Sequence, residues 1–353
     1  MNATFKKHKL QFKFNAGTSR GVLKEKNTCF LKLLNPKNEI SGFGECGPLV
    51  GLSIDDIDYG DELQAFCKSI EANKDFNFEA ILGSIPVNRP ALKFAFETAW
   101  YDLKNGGTKT IFRNDFSSGK EKISINGLVW MGKPDFMKQQ IRAKIEEGYN
   151  CIKIKIGAID FEEELKLLKM IRSEFSKDQM IIRVDANEAF TPKEAFEKLS
   201  RMKDLDIHSI EQPIKRNQWV KMNELVASDL IPIALDEELI QPRTFEEKNE
   251  LLRSMQPQYI ILKPTLLGGF NSCDEWIKAA EENNISWWIT SALESNIGLN
   301  AICQYTYEKG ATGHQGLGTG QLYHNNIDSP LTIERGHIFI DQTKAWDASV
   351  FDH

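Results

Sequence analysis

The sequence has no paired cysteine motif. Its six cysteines, Cys29, Cys46, Cys67, Cys151, Cys273 and Cys303, are scattered and none belongs to a Cys-x-x-Cys pair, which removes zinc-ribbon and thioredoxin-type readings. No apolar run approaches the roughly 18 residues needed to cross a bilayer. Met1–Asn15 carries lysines but no apolar stretch of signal-peptide type, so reduced thiols in a cytoplasm are the expectation. There is no long basic run, and the net charge is −6, which argues against nucleic acid as a partner. The histidines, His8, His208, His314, His324, His337 and His353, show no metal-ligand spacing. His208 falls inside a strand pattern and reads as structural. Low-complexity segments are also missing.

At 353 residues, with 41% hydrophobic and 27% charged side chains, the chain can build one large domain with an ordinary core and a smaller companion. Residues 1 to about 118 read as mixed α+β. Leu10, Phe12 and Phe14 alternate with Gln11 and Lys13 in the pattern of a half-buried strand. Cys29–Leu34 and Ile40–Glu45 are further strand-like pieces, the second running into Cys46-Gly47-Pro48. A helical run, Arg89–Lys104, is opened by Pro90. Beyond about 119, short apolar runs alternate with amphipathic stretches. The runs are Ile123–Trp130, Cys151–Gly157, Met180–Ala186, Ile207–Pro213, Ile231–Glu237, Tyr259–Thr265 and Ser286–Ala292. Such alternation specifies βαβ units and a parallel sheet. Charged residues end successive runs at Lys155, Asp185, Glu211, Asp236 and Lys263, in steps of 30, 26, 25 and 27 residues. A nearly constant step suits a closed ring of equivalent units, so the expected fold is α/β, a (β/α) TIM-type barrel with an α+β cap. Gly316–Gly320 is a weak eighth strand, where a plain turn is favoured over a phosphate cradle. Trp287 and Trp288 read as core.

Three acids, Asp185, Glu211 and Asp236, stand at three consecutive strand ends. Adjacent strands lie roughly 4.8 Å apart, so carboxylates at one height converge, and their repulsion calls for a cation. Oxygen-only ligands favour Mg²⁺, with Mn²⁺ as the alternative, over zinc. Lys153 and Lys155 alternate with Ile152, Ile154 and Ile156, which in a barrel sends the lysines inward and the isoleucines onto the helices. Lys263 lies across the barrel after Ile-Ile-Leu. Desolvation and nearby cations lower a lysine pKa and let it act as a neutral base. Metal and lysine together suit removal of a proton α to a carboxylate. Any one of these acids alone is more often a helix cap or a solvated turn. An edge strand or a structural ion pair would account for the lysines singly. The register of the three acids favours function.

The elements Lys153-x-Lys155, Asp185-Ala-Asn187, Glu211-Gln212-Pro213, Asp236-Glu237 and Lys263-Pro264 together resemble the muconate-lactonizing subgroup of the enolase superfamily, over the whole chain. Gly42-Phe-Gly-Glu45 through Pro48 resembles the subgroup's capping-domain signature. The resemblance implies a cap from 1–118, a barrel over 119–320 and a C-terminal segment, 321–353, that returns to the cap. Within the subgroup it points to the o-succinylbenzoate synthase family, on Ile125-Asn-Gly-Leu-Val-Trp-Met-Gly132, Ser291-Ala-Leu-Glu-Ser295, Asn296-Ile-Gly298 and Gly316–Gly320. Phe190 departs from the tryptophan of many relatives, at a position that ligates nothing. The implied reaction is dehydration of 2-succinyl-6-hydroxy-2,4-cyclohexadiene-1-carboxylate in menaquinone biosynthesis. Its implied machinery is Mg²⁺ on Asp185, Glu211 and Asp236, with Asn187 and Glu237 behind them. Lys155 would take the α-proton and assist the leaving hydroxide, Lys263 would act as a cation on the opposite face, and Lys153 completes the catalytic set. Arg20, Ser291 and Glu294 are candidates for contact with a small-molecule carboxylate substrate. Gly17–Arg20 and Leu49–Asp55 are the expected specificity loops over the barrel mouth.

Four other readings compete. An N-acylamino-acid racemase needs a base on each face, which Lys155 and Lys263 supply. The dipeptide epimerase subfamily resembles a version with Asp-x-Asp at the last strand, and Gly316–Gly320 has none. A Schiff-base aldolase using Lys263 leaves the three acids unexplained. A non-catalytic binding protein leaves the whole lysine and acid set unexplained.

Overall fold

The computed structural model describes residues 1–18, 21–55, 59–73 and 75–347. Strands β1 (Asn2–Thr18), β2 (Gly21–Asn35) and β3 (Ile40–Cys46) form an antiparallel sheet in that order. The alternation legible in Leu10–Phe14 is the middle of a much longer strand. Pairing runs from Asn2 opposite Leu34 to Gln11 opposite Glu25, slips, and resumes at Ala16 opposite Leu23. Helices α1 (Tyr59–Ala72), α2 (Phe78–Ser84) and α3 (Pro90–Lys104) follow. Leu31, Leu33, Leu63, Ile70, Ala95 and Phe96 form the core between sheet and helices. Helix α3 lies so close to β3 that a β carbon at Gly44 would stand 1.9 Å from the Ala95 carbonyl oxygen. Gly42 meets Ala99 in the same way, at 2.1 Å. Residues two apart share one face of a strand, so the Gly-x-Gly spacing is what seats this helix.

The second unit alternates strand and helix. Its elements are β4 (Ile123–Ser124), β5 (Gly127–Val129), α4 (Pro134–Glu146), β6 (Cys151–Lys155), α5 (Phe161–Glu174), β7 (Ile181–Asp185), α6 (Pro192–Met202), β8 (Ser209–Glu211), α7 (Trp219–Ala227), β9 (Ile233–Leu235), α8 (Phe245–Met255), β10 (Tyr259–Leu262), α9 (Pro264–Leu267), α10 (Gly269–Glu282), β11 (Ser286–Ile289) and α11 (Asn296–Glu308). Strands β5 to β11 form one parallel sheet in sequence order. Ile152, Ile154, Ile182, Val184, Ile210, Ile233, Leu235, Ile260, Leu262 and Ile289 are buried in its core. Thr191 and Thr244 begin α6 and α8 through capping boxes with Glu194 and Glu247, each satisfying amide groups that a helix start leaves free.

The sheet curls until its edges meet. Gly316 bridges Thr290 and Gln315 bridges Ile125. Gly316 N donates to Ile289 O at 2.9 Å and Gln315 N to Ser124 O at 2.8 Å. The eighth strand is therefore only Gln315–Gly316, one residue ahead of the expected Gly316–Gly320, and Gly318–Gln321 coils into a 3₁₀ turn. The expected run Ile123–Trp130 also divides. β4 leaves the barrel sheet and pairs antiparallel with β13 (His337–Ile340), which forms a hairpin with β12 (Leu331–Glu334). Between these, the chain passes beside β1, where Lys13 N donates to Leu322 O at 2.8 Å and His324 N to Gln11 O at 2.9 Å. Among the described residues no helix is long and apolar enough to cross a membrane.

Candidate active site

Parallel pairing places Lys155 opposite Asp185 and Asp185 opposite Glu211 across β6, β7 and β8. Asp236 and Lys263 directly follow β9 and β10. All five, with Lys153, are buried, at the C-terminal ends of the strands, where barrels of this kind present reactive groups. Above them is a cavity of about 370 Å³, lined from the barrel by Lys153, Lys155, Asp185, Asn187 and Lys263 and from the first unit by Leu23 and Leu49–Leu52.

Lysines stand among the three carboxylates. Lys153 Nζ is 3.0 Å from Asp185 Oδ2 and also touches Glu211. Lys155 Nζ is 3.0 Å from Asp185 Oδ2 and donates to Asn187 Oδ1. Lys263 Nζ is in contact with Asp236. The acids thus occupy the expected strand ends without forming a ready cage. Among the described residues no three Asp, Glu, His or Cys side chains are grouped to hold an ion, and each of the three carboxylates contacts an ammonium. Burial lowers the Lys155 pKa, with Lys153 and Lys263 adding to it. Burial also opposes charge on Lys153 and Lys263, but Asp185 and Glu211 hold the first up and Asp236 the second. Burial, then repulsion from Asp185 and Asp236, pushes Glu211 up to about 7. Asp185 lies well below the usual range because the lysines outweigh its burial. Glu211 Oε1 is buried with no hydrogen-bond partner, a spare acceptor costly to leave unmet. A spare oxygen beside two more carboxylates fits a hard divalent cation. Asn187 lines the cavity and donates to Glu237 Oε1 at 3.2 Å, while fully buried Glu237 stands behind it.

The candidate substrate contacts separate. Ser291 lines the cavity, its Oγ 2.6 Å from Thr319 Oγ1. Glu294 does not. It is fully buried, and its carboxylate accepts from Ala292 N at 2.7 Å and from the Thr265 hydroxyl. It holds the loop that carries Ser291 and stands behind the cavity wall. Arg20 lies outside the described residues. The sequence reading did not single out Asn126, Thr290 or Thr319, which are neutral, or Trp130, whose ring centroid is 5.8 Å from Lys155 Nζ. A search for charged groups passes over such residues, although Asn126, Trp130 and Thr319 fall inside the motifs Ile125–Gly132 and Gly316–Gly320.

Comparison with known proteins fits this geometry. The Enolase C-terminal domain-like family model matches residues 136–344. An o-succinylbenzoate synthase from Desulfotalea psychrophila is 45% identical over 363 residues, covering 95% of this chain and 98% of that protein. The crystal structure of MenC from Desulfotalea psychrophila LSv54 superposes with a TM-score of 0.87 at 40% identity, over 96% of this chain and 99% of the other. The L-Ala-D/L-Glu epimerase from Bacillus subtilis shares the fold, with a TM-score of 0.84 at 19% identity over 96% of each chain. With a family model across most of the barrel and a relative that shares nearly half its residues from end to end, the chain belongs to the enolase superfamily, in the family of the Desulfotalea o-succinylbenzoate synthase.

Proposed function

We propose that this protein is an o-succinylbenzoate synthase, dehydrating 2-succinyl-6-hydroxy-2,4-cyclohexadiene-1-carboxylate to 2-succinylbenzoate. One observation carries the reading. Two buried lysines, Lys155 and Lys263, stand four strands apart in an eight-membered ring and line one cavity beside three carboxylates. Asp185, Glu211 and Asp236 would hold a divalent cation, taken to be Mg²⁺, which supplies the positive charge that makes a proton α to a carboxylate removable. Lys155 takes that proton. Now an ammonium on the same face, it returns a proton to the departing hydroxyl, so that a C–H and a C–O bond break, a ring double bond forms and water leaves. Lys263 faces the substrate from the other side as a cation and offsets negative charge. Asn187 fixes Lys155 through its side-chain oxygen, and Glu237 fixes Asn187. Trp130 and Leu49–Leu52 line the cavity and give it an apolar side.

A second reading, N-acylamino-acid racemisation, is favoured by the same pair of lysines, since proton transfer on both faces needs both. The two are separated by assaying the Mg²⁺-loaded protein with the cyclohexadiene carboxylate and, in deuterated water, with a panel of N-acylamino acids. Formation of the aromatic product, abolished by EDTA and restored by Mg²⁺, is the expected result. Rapid α-exchange of N-acylamino acids without any dehydration would replace this reading with the second.

A further inference from the structure

Leu293, in the loop after β11, has φ of +63°, a left-handed conformation that a bulky residue adopts only when its surroundings impose it. Within the loop, Glu294 accepts from Ala292 N across Leu293, and further groups reach it from outside. Lys26 Nζ, on β2, donates to Leu293 O at 2.9 Å and to Ala292 O at 3.1 Å. The Tyr323 hydroxyl donates to Leu293 O at 2.7 Å. Lys26 is 5% exposed and, among the described residues, has no ion-pair partner within salt-bridge distance. A buried ammonium needs acceptors, and here they are the carbonyls of a cavity wall. Immediately beyond, Glu45 accepts from Ser295 N at 2.9 Å and Gly298 N at 3.0 Å. A β carbon at Gly47 would come within 3.0 Å of Lys26 Nζ and 2.7 Å of Thr28 Oγ1. The Gly42–Pro48 motif therefore has two tasks. Gly42 and Gly44 seat α3, while Glu45 and Gly47 build the socket in which Lys26 grips the barrel loop.

Three cavity-lining stretches meet at this grip: Gly21–Leu23 at the start of β2, Leu49–Leu52 after the motif, and Ser291–Leu293. Leu23, Leu49, Leu128, Trp130 and Leu293 pack as one apolar cluster beside it. We infer that Lys26 is a positioning residue for substrate: by fixing the Leu293 carbonyl it holds these stretches together as one wall of the cavity. Its effect on turnover rests on the dehydration proposed above. Its effect on the loop does not.

The test compares Lys26→Met, Lys26→Arg and Tyr323→Phe in the full-length, Mg²⁺-loaded protein. Lys26→Met should raise KM for the cyclohexadiene carboxylate about tenfold, equivalent to about 1.4 kcal/mol. The kcat should stay within about threefold, because Lys155 and Lys263 are untouched. Lys26→Arg should recover part of the loss, since a guanidinium still donates. Tyr323→Phe, which removes one donor to the same carbonyl, should move KM the same way by a smaller factor. Amide hydrogen exchange over residues 291–298 should speed up in Lys26→Met and Tyr323→Phe and not elsewhere in the barrel. A fall in kcat at constant KM, or unchanged KM in a folded Lys26→Met, overturns the proposal. Should Lys26→Met not fold, an unmoved KM in Tyr323→Phe overturns it. If the wild-type protein shows no dehydration, the functional reading fails by itself. The exchange experiment then decides the grip, and unchanged protection over 291–298 overturns it.

Discussion

Replacing Lys263 with methionine keeps most of the side-chain length and removes its charge. Asp236 is 2% exposed, and its Oδ2 is in contact with Lys263. Removing one partner of a buried pair leaves the other desolvated, at about 3–5 kcal/mol. With about 2.1 cal/mol/K per residue, the entropy of unfolding 353 residues is about 0.7 kcal/mol/K, so the metal-free variant should melt about 4–7 °C below wild type. A divalent cation addresses the same carboxylate. At a hundred times its dissociation constant it adds about 2.7 kcal/mol, and in the variant it no longer competes with an ammonium for Asp236. Mg²⁺ should therefore raise the melting temperature of Lys263→Met by more than it raises that of wild type. Scanning calorimetry in EDTA and along a Mg²⁺ titration reads both quantities. A metal-free variant that melts with wild type, or one that Mg²⁺ stabilises less than wild type, would refute the view that lysine and metal share these carboxylates.

Lys155→Arg should abolish dehydration, because arginine cannot present a neutral base near pH 7, whereas Lys263→Arg should retain a measurable fraction, at about tenfold in rate per 1.4 kcal/mol lost. Steady-state assays giving the reverse order would exchange the two roles. His208, stacked on Tyr259 at 4.8 Å, has its pKa pushed down from 6.5 to about 4 by burial, then by Arg183 and His314. A depressed histidine refuses a proton that the unfolded chain accepts, so its contribution to stability is complete above about 6.5 and lost as pH falls through about 4. Urea titrations across that window should show a shallower acid loss in His208→Phe. Gly44→Ala pushes a methyl group against the Ala95 carbonyl and should cost about 1–3 kcal/mol or more, seen as a lowered denaturation midpoint.

Much of the barrel was legible because two periodicities coincide. The near-constant step between strand-end charges suggested a ring, and the Lys-Ile alternation at Ile152–Ile156 assigned the faces. Both follow from backbone geometry, and the structure places Lys153, Lys155, Asp185, Glu211, Asp236 and Lys263 at one end of one ring. The elements that escaped are those fixed by closure and by partners. The eighth strand is two residues long, and only the bridges of Gln315 to Ile125 and of Gly316 to Thr290 make it a strand. Helix α2 spans seven residues, too few for a helical period to declare itself. Glu294 sits beside Ser291 in sequence and looks equally available, but the buried Ala292 amide needs an acceptor and takes its carboxylate out of the cavity. The interleaving of carboxylates with ammoniums was not legible either, because strand position fixes which groups meet and not how their charges pair.

The strand-end set cannot by itself choose a substrate, since an epimerase shares the fold. The choice lies in the walls. The side chains lining the cavity include Lys153, Lys155 and Lys263 against one carboxylate, Asp185. The last strand and its turn, Gln315-Gly-Leu-Gly-Thr-Gly320, carry no acid. An ammonium brought within about 4 Å of one lysine would cost about 4 kcal/mol at an effective dielectric of about 20, a discrimination of about a thousandfold. A dicarboxylate meets attraction at the same places, and the neutral donors Asn126, Thr290, Ser291 and Thr319 can bond its oxygens without adding charge. A free amino terminus is thus disfavoured by the charges of the described walls. Among substrates with an acidic α-hydrogen, this favours those whose nitrogen is acylated or absent. Between those two, the apolar wall of Leu23, Leu49, Leu128, Trp130 and Leu293 favours the substrate that presents a hydrocarbon ring.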